Sequence, residues 1–484
     1  MSFKIFSLQL LGKIKPVETI ETQRKQLFDD FVEFQRVEKS EELKNYLELD
    51  KKVNSTEFKN KKSEIEGLRF KGSREYNLLK EYHSLEKKQR IRNFLKIDGS
   101  TELPKFGKLK NSEKLAEFFT LKKYVSDGSF KNDKKTALHN KVKFETTEAF
   151  KKHSRFKQLE SDADIRFVLD FEKSKLYKNY LAVKDSSDLK RFRELSETTK
   201  SAEFTARVKY LEDPKKWEKT DEYKQQQQWL EMKKMPHLVK YFKNKGTTVF
   251  DFYRNWEVAF ADDFSAAKID TEKWSFLSVA ANKMLGDNYA LAGDLSLFTD
   301  GKNIKTGKKL VIETRKEKAK GKIWKMSAGF VPTELEYTSG MISSWNSFEM
   351  EDGIFEAKIK FNPVHAVVSS FYLSGLQDLP RVNLLEMGAK NRLGVLTLDK
   401  SKAHVEGLDI SNLNSGKWYI FTIEKLGSNI TWKINGTEIF TQQYPGVKGK
   451  LHLNASTLVV NEISASQLPA VFEIEWVKCW RKKQ

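Results

Sequence analysis

The spacing of apolar residues changes once along the chain, near residue 250. Before that point Leu, Phe and Tyr recur every three or four positions among Lys and Glu, as in Leu43, Tyr46 and Leu49. That spacing places the apolar side chains on one face of an α-helix. After it, apolar and polar residues alternate, as in residues 309–314, which is typical of strands with one buried face. The pattern predicts an all-α array over residues 18–245, followed by an all-β half.

A start signal that recurs in the first half indicates that its helices are short. A Ser or Thr is followed three positions later by an aromatic residue, with an acidic residue between them. The hydroxyl can accept a hydrogen bond from a backbone N–H in the first helical turn, and the acid favours the positive end of the helix dipole. The pairs are Ser55 and Phe58, Ser73 and Tyr76, Ser201 and Phe204, and Thr220 and Tyr223.

A longer unit repeats in degenerate form within the same region. A Ser precedes three apolar residues that are spaced by three, and a Phe follows the last of them by nine positions. The units begin at Ser40, Ser112 and Ser186. One unit is too small to bury its own apolar face, so we expect neighbouring units to stack as a tandem array. We assign the array to no repeat family.

The net charge of +20 lies almost entirely before residue 251. A basic helical region with interleaved aromatic residues could bind a polyanion, such as nucleic acid or an acidic polysaccharide. However, Lys is interspersed with Glu throughout and no compact Arg-rich block occurs, which is typical of solvated helix faces. We therefore predict a spacer or protein-docking scaffold, with polyanion binding as the alternative and nucleic acid as a disfavoured partner.

Other features of the composition limit the compartment and the cofactor chemistry. Cys479 is the single cysteine, which excludes internal disulfides and a thiolate metal site. Scattered His residues without a ligand motif predict no metal and no cofactor. No apolar run is long enough for a transmembrane segment, and residues 1–13 lack a clear signal-peptide cleavage site. We expect a cytoplasmic location if the N-terminus is native, and otherwise leave the compartment unassigned.

Turn signals separate the alternating runs of the second half. Asp352-Gly353, Asn435-Gly436 and Pro445-Gly446 each lie between strand-like segments. Many short strands joined by such turns predict a sandwich of two antiparallel sheets.

Several segments of this half occur in an order that resembles glycoside hydrolase family 16. Residues 337–344 read YTSGMISS, residues 355–360 read FEAKIK and residues 379–388 read LPRVNLLEMG. The family has a Y-T-S-G-x-I-x-S strand and an F-E-A-x-I-K strand before a catalytic strand of pattern E-x-D-x-x-E. The likeness extends over residues 260–484. It implies a concanavalin A-like β-jelly roll with a cleft for a β-glucan or galactan chain, and its relatives are usually exported.

The family's catalytic motif is only partly kept. In the register of the resemblance, Arg381 stands at the position of the nucleophilic Glu, Asn383 at that of the Asp, and Glu386 at that of the acid/base Glu. A retaining glycosidase needs two carboxyl groups about 5–5.5 Å apart, and a guanidinium cannot attack a sugar. A one-residue bulge would place all three side chains on one face. There we expect Arg381 and Glu386 to form an ion pair.

Three interpretations of this motif remain open. The one we favour is a structural ion pair in a retired active site, which makes the domain a pseudoenzyme. In the second, Arg381 binds an acidic sugar or another anion. In the third, the protein is an active endo-β-glycanase that takes a second carboxylate from elsewhere, and Asp378 is the nearby acid.

Three other side chains are candidates for contact with a sugar. The family's preceding strand carries tryptophans that stack on sugar rings. Val368 and Tyr372 stand near those positions here, so Tyr372 would be the remaining platform. Trp345 could line the rim of the cleft or be an ordinary, partly buried aromatic residue. His365 could hydrogen-bond a sugar or face solvent.

These observations predict four segments along the chain. They are an N-terminal segment over 1–17, the basic helical array over 18–245, a linker and entry strand over 246–259, and the jelly roll over 260–484. We predict a catalytically inactive, family-16-like protein. Its jelly roll would bind a polysaccharide or a protein complex, and its helical array would serve as a scaffold.

Overall fold

A computed structural model describes residues 3–376, 378–399 and 402–483 of the chain. It confirms the predicted class, an α-helical array followed by a β-jelly-roll sandwich. The helices are α1 Phe3–Leu10, α2 Val17–Glu38, α3 Glu41–Val53, α4 Thr56–Gly67, α5 Arg74–Lys87, α6 Gln89–Asp98, α7 Glu102–Lys110, α8 Glu113–Ser126, α9 Ser129–His139, α10 Glu148–Ser161, α11 Ala163–Lys173, α12 Lys175–Val183, α13 Ser187–Lys200, α14 Ala202–Glu212, α15 Asp221–Met232, α16 Pro236–Asn244, α17 Asp251–Asn255 and α18 Val279–Met284. Short 3₁₀ helices lie at Phe144–Thr146, Trp217–Lys219 and Ala465–Gln467.

The strands follow the array, and α18 is the one α-helix among the described residues after β1. They are β1 Trp256–Asp262, β2 Ala290–Leu291, β3 Ser296–Phe298, β4 Ile304–Lys305, β5 Leu310–Lys325, β6 Gly329–Ser339, β7 Met341–Ser343, β8 Gly353–Phe361, β9 Val367–Ser374, β10 Arg381–Gly388, β11 Arg392–Asp399, β12 Lys402–Asp409, β13 Lys417–Leu426, β14 Asn429–Ile434, β15 Thr437–Gln443, β16 His452–Val459 and β17 Ala470–Lys482. Among the described residues, no helix combines the length and the apolar character that a membrane span requires.

The predicted helix starts are confirmed by their hydrogen bonds. Each of the four hydroxyls accepts from the backbone N–H of the aromatic residue three positions on, at 3.1 Å. The Ser residues of the longer unit, Ser40, Ser112 and Ser186, accept in the same way at 3.1–3.3 Å. Because these bonds join residues three apart, they depend on local sequence alone.

The chain forms two compact units, and Lys44–Lys234 make up one of them. We expected neighbouring repeats to stack, and consecutive helices do touch. The chain also folds back, so that extensive contacts join α5 to α13, α6 to α12, α7 to α11 and α8 to α10. Aromatic pairs connect these partners with ring centroids 4.9–5.7 Å apart. They are Tyr82–Phe192, Phe94–Tyr180, Phe106–Phe171 and Phe118–Phe156.

The other unit comprises Met1–Leu43 and Met235–Gln484. Its helix α2 lies against the outer face of the larger sheet. Arg24 donates two hydrogen bonds to the carboxylate of Glu356, at 2.9 and 3.2 Å, and Glu21 accepts from Lys358 and Trp476. This division differs from the predicted boundaries at residues 17 and 245, because long-range contacts join the first helices to the sandwich.

Two sheets build the sandwich. The larger has the order β15-β14-β13-β8-β17-β5-β6-β3, with β1 on β17 and both β2 and β4 on β5, and the smaller has the order β12-β11-β10-β9-β16-β7. Their facing sides form the core, which includes Phe355, Phe371, Leu385 and Phe472 at 0% exposure. Along β9 and β10 the residues between these core positions are polar, so the outer face of the smaller sheet carries the candidate site.

Candidate functional site

Strand β10 contains the bulge that the odd spacing of the motif predicts. Asn383 pairs with Tyr372 on β9, and Glu386 pairs with Ser370, with a register shift between them. The pairing with β11 shifts at the same place. The extra residue restores the alternation of faces. Arg381, Asn383 and Glu386 therefore lie on one face, and a chain of hydrogen bonds connects them.

Two neighbouring side chains orient the guanidinium group of Arg381. Its guanidinium carbon lies 3.5 Å from the centroid of the Tyr372 ring, and its Nε donates to Asn383 Oδ1 at 3.0 Å. Asn383 Nδ2 donates in turn to Glu386 Oε2 at 3.3 Å. Burial raises the pKa of the Tyr372 phenol, so the ring remains neutral beneath the cation. Because the guanidinium covers this ring face, Tyr372 does not offer that face to a sugar, although sequence reasoning gave it this role.

The predicted ion pair between Arg381 and Glu386 is wrong. Glu386 Oε1 pairs instead with Arg392 Nη2, at 2.9 Å. Arg392 lies directly opposite Glu386 on β11, whereas Arg381 lies beyond Asn383 and stacks on Tyr372. The Glu386 side chain is 10% exposed and that of Arg392 is 29% exposed, so the pair is largely withdrawn from water. Sequence reasoning missed Arg392, because only strand pairing brings it opposite the motif.

Asp378 lies in the connection between β9 and β10 and has a positive φ of 59°. Burial raises the pKa of its carboxyl group, while hydrogen bonds from the Ala280 backbone and the Ser278 side chain and the positive charge of Arg381 act in the opposite direction. Ser278 is also the N-cap of α18. The carboxylate is therefore engaged with the start of α18.

A bridging segment, residues 275–281, leads into α18 and includes its first residues, and it bridges the end of the polar face. Ser275 exchanges backbone hydrogen bonds with Ser343 of β7, at 2.7 and 2.8 Å. The indole Nε1 of Trp345 donates to the carbonyl of Leu277 at 3.0 Å. The segment also contacts Asp378 in the β9–β10 connection. It therefore extends from β7 to that connection, across the ends of β16 and β9. The bridging segment therefore covers part of the surface along which a groove would run.

Polar residues of β9 and β16 at this end are fully buried. His452 is 1% exposed, and its Nε2 lies 3.2 Å from Ser374 Oγ. Asn454 Nδ2 donates to the same hydroxyl oxygen at 2.9 Å. Burial lowers the pKa of His452 to about 4, so the ring is neutral and can accept the Ser374 proton. We attribute this burial to the bridging segment.

Some polar atoms of the same face are buried without a hydrogen-bond partner. They are the hydroxyls of Ser343 and Ser370, Oδ1 of Asn454 and Nε of Arg392. Ser370 and Arg392 flank Glu386 in the pairing of the strands. Unpaired buried donors and acceptors are costly, and ordered water is the usual partner of such atoms.

The other two sequence candidates lie apart from the motif. Trp345 is half-buried and follows β7, three strand spacings from β10, or about 14 Å. His365 is exposed and precedes β9, at the end of that strand opposite to Ser374, the residue that pairs with Arg381. The structure thus brings together Arg381, Asn383 and Glu386 with Tyr372, and it separates His365 from them.

Metal ligation has no support in the described part of the chain. No three His, Cys, Asp or Glu side chains there are grouped so that they could hold an ion. The buried thiol of Cys479 has its pKa raised well above the usual value by burial.

No protein-family model matches the chain, and no curated protein matches it. Solved structures similar to the second half include three glycanases. The catalytic domain of an endo-1,3-beta-glucanase (laminarinase) from Thermotoga petrophila RKU-1 is 17% identical, with 47% of this chain and 99% of that one covered and a TM-score of 0.38. The endo-beta-1,3-glucanase from Pyrococcus furiosus is 18% identical, with 47% and 95% covered and a TM-score of 0.38. The kappa-carrageenase from Pseudoalteromonas carrageenovora is 17% identical, with 47% and 96% covered and a TM-score of 0.38.

Proposed function

We propose that the jelly roll is a glycoside-hydrolase-like domain that binds carbohydrate without hydrolysing it. One observation carries the proposal: the acid/base candidate Glu386 is paired with Arg392 at 2.9 Å, and Arg381 stands where the resemblance expects the nucleophile. Both oxygens of this carboxylate are engaged by the protein, Oε1 by Arg392 and Oε2 by Asn383, whereas a general acid must direct a proton at the leaving oxygen.

A second catalytic carboxylate is also needed for retaining hydrolysis, about 5–5.5 Å from the first. The nearest acidic candidate in the sequence, Asp378, takes hydrogen bonds from Ser278 and Ala280. Arg381 is unable to attack the anomeric carbon. Neither residue therefore supplies the nucleophile in the described arrangement.

Sugar binding requires less than catalysis does. Hydroxyl groups of a glycan need donors and acceptors on a preformed face. The partly exposed Arg381 and Arg392 supply donors here, and Glu386, whose side chain is 10% exposed, supplies an acceptor next to them. The aromatic platform expected at Tyr372 is replaced by the guanidinium plane that lies over it, and such a plane can itself stack on a ring.

We further propose that the helical array is a scaffold. Ion pairs, like the aromatic pairs, join the outgoing helices of the helical unit to the returning ones. Arg191 binds the Glu81 carboxylate through two nitrogens at 2.8 and 2.9 Å, and Arg155 binds Glu117 in the same way. These arginines are neutralised by carboxylates of the same unit and so are not free to bind a polyanion. This favours a structural role over polyanion binding.

The enzymatic alternative is tested with the full chain. We expect no release of reducing ends from β-1,3-glucan, mixed-linkage glucan, agarose or carrageenan, and binding to at least one glycan on an array. Glu386→Gln keeps the shape of the side chain and serves as the matched variant. Hydrolysis that this variant abolishes would refute the proposal and identify an active glycanase.

The double variant Arg381→Glu, Asn383→Asp restores the acidic pattern of the resemblance. We expect it to remain inactive, because Arg392 still holds Glu386 and residues 275–281 still cover part of the face. Reducing ends released by the double variant alone would mean that only those two substitutions silence an otherwise open groove.

A further inference from the structure

We propose that Arg381 recognises an anionic substituent of the glycan, either the carboxylate of a uronic acid or a sulfate ester. The inference rests on the proposed carbohydrate binding and names the class of ligand. Its basis is a guanidinium that is fixed in place by the protein while its terminal nitrogens are left for a ligand.

The contacts of Arg381 fix its orientation. Stacking at 3.5 Å on the Tyr372 ring sets the plane of the guanidinium, and the hydrogen bond from Nε to Asn383, at 3.0 Å, sets its rotation within that plane. Among the described residues, the terminal nitrogens Nη1 and Nη2 make no hydrogen bond to the protein. A planar, pre-oriented pair of N–H groups matches the two oxygens of a carboxylate or a sulfate.

The acidic groups near Arg381 are committed elsewhere. Glu386 pairs with Arg392 at 2.9 Å. Asp378 accepts from Ser278 and Ala280, and no carboxylate oxygen of the described residues lies within 4.0 Å of the Arg381 nitrogens. The guanidinium is half-buried and has no ion-pair partner among the described residues, which raises the gain from an anionic ligand over that from a neutral one.

A second arginine, Arg392, lies on the same face and is already paired with Glu386. Nε of Arg392 is buried without a hydrogen-bond partner, although its Nη2 holds Glu386. Two arginines with unused donors flank the acid on neighbouring strands, β10 and β11. The two positive charges add on this face, so an anionic glycan compensates charge that a neutral glycan leaves uncompensated.

The test is calorimetric titration of the full chain with short oligosaccharides at 150 mM salt. The probes are oligogalacturonate for the carboxylate, a sulfated galactan oligosaccharide for the sulfate ester, and laminari-oligosaccharide as the neutral probe. We expect one of the anionic probes to bind at least about tenfold more tightly than the neutral one. Arg381→Gln removes that preference, and Arg381→Lys, which keeps the charge but not the planar pair of donors, loses part of it.

The basic helical unit provides the control for unspecific charge. Lys134→Gln with Lys135→Gln changes two exposed lysines of α9 and should leave the affinities within about twofold, since surface charges are screened over about 8–10 Å at this salt concentration. Anionic binding that these variants weaken and Arg381→Gln does not would overturn the inference. Tighter binding of the neutral probe, unaffected by Arg381→Gln, would overturn it and leave the proposed function standing. Failure of all three probes to bind would overturn both.

Discussion

At the scale of single residues, the partner of each charge decides what the site can do. Arg381 and Glu386 belong to one motif and share one face, yet they do not pair. Tyr372 and Asn383 hold Arg381, and Arg392 on the next strand takes Glu386. A carboxylate that is 10% exposed depends strongly on such a partner.

The substitution Arg392→Ala should therefore destabilise the sandwich. It leaves the largely buried Glu386 carboxylate with Asn383 as its remaining partner, and we expect a loss of about 2–3 kcal/mol in the free energy of unfolding. Urea unfolding followed by tryptophan fluorescence measures the loss. The control is Arg392→Ala combined with Glu386→Gln. The second substitution removes the buried charge, so the double variant should recover part of the lost stability. Equal stability of Arg392→Ala and the parent chain would show that the pair contributes nothing.

His452 predicts a pH dependence at the same scale. Its pKa in the folded chain is about 4, against an ordinary value of 6.5. Between these values the unfolded chain binds a proton that the folded chain does not, so stability falls as the pH is lowered through this window. The free energy of unfolding should be about 2 kcal/mol lower at pH 5 than at pH 7 on account of this group.

The hydrogen-exchange protection of the β16 amides at pH 5 and pH 7 measures this loss of stability in the sandwich. The variant His452→Gln keeps a polar side chain next to Ser374 and cannot be protonated, so it should lose most of the difference between pH 5 and pH 7. A difference of unchanged size in the variant would assign the acid sensitivity to other groups.

At the scale of elements, the array depends on aromatic pairs between helices that are distant in the chain. Tyr82 of α5 stacks on Phe192 of α13 with centroids 5.4 Å apart, and Phe192 is 7% exposed. Each pair closes a contact between an outgoing and a returning helix. Helices of 9–14 residues gain most of their stability from such packing.

Phe192→Ala should lower the free energy of unfolding of the helical unit by about 3–5 kcal/mol, since it removes a buried aromatic ring and leaves a cavity. Thermal unfolding followed by the helical circular dichroism signal measures the effect. Phe119→Ala is the matched control, because Phe119 is 45% exposed and should cost far less. Similar losses in the two variants would mean that the pair Tyr82–Phe192 does not form as described.

At the scale of the whole molecule, the unit that contains the sandwich is discontinuous in sequence. Met1–Leu43 join Met235–Gln484, with Arg24 bound to Glu356 and Glu21 bound to Lys358 and Trp476. Glu356 and Lys358 are 4% and 8% exposed, so helix α2 supplies ion-pair partners to largely buried charges on the sheet, in addition to the Glu475 partner of Lys358.

Arg24→Ala should therefore destabilise the sandwich although residue 24 lies more than 200 positions before its first strand. Among the described residues, the Glu356 carboxylate would keep Thr422 and Trp480 as hydrogen-bond partners, and we expect a loss of about 1–3 kcal/mol. Lys25→Ala on the exposed side of the same helix is the control. Melting of the sandwich signal at the same temperature in both variants would contradict the docking of α2.

The sequence by itself determined the features that short-range chemistry controls. Ser55 and Ser201 cap their helices because a hydroxyl and an N–H three residues apart meet in any first turn. Alternation along residues 381–388 set which side chains face outward, and the odd spacing from Asn383 to Glu386 required the bulge. The order of a helical array and a sandwich followed from the same periodicities.

Only the tertiary structure decided the features that depend on which distant segments meet. The pairing of β10 with β11 placed Arg392 opposite Glu386, residues 275–281 reached the β9–β10 connection, and the return of the chain joined α5 to α13. None of these has a local signal, because each contact is selected by the packing of the whole unit. The physical reason is that hydrogen bonds within one turn or one strand are set by neighbouring residues, whereas ion pairs and aromatic contacts between elements depend on the complete fold.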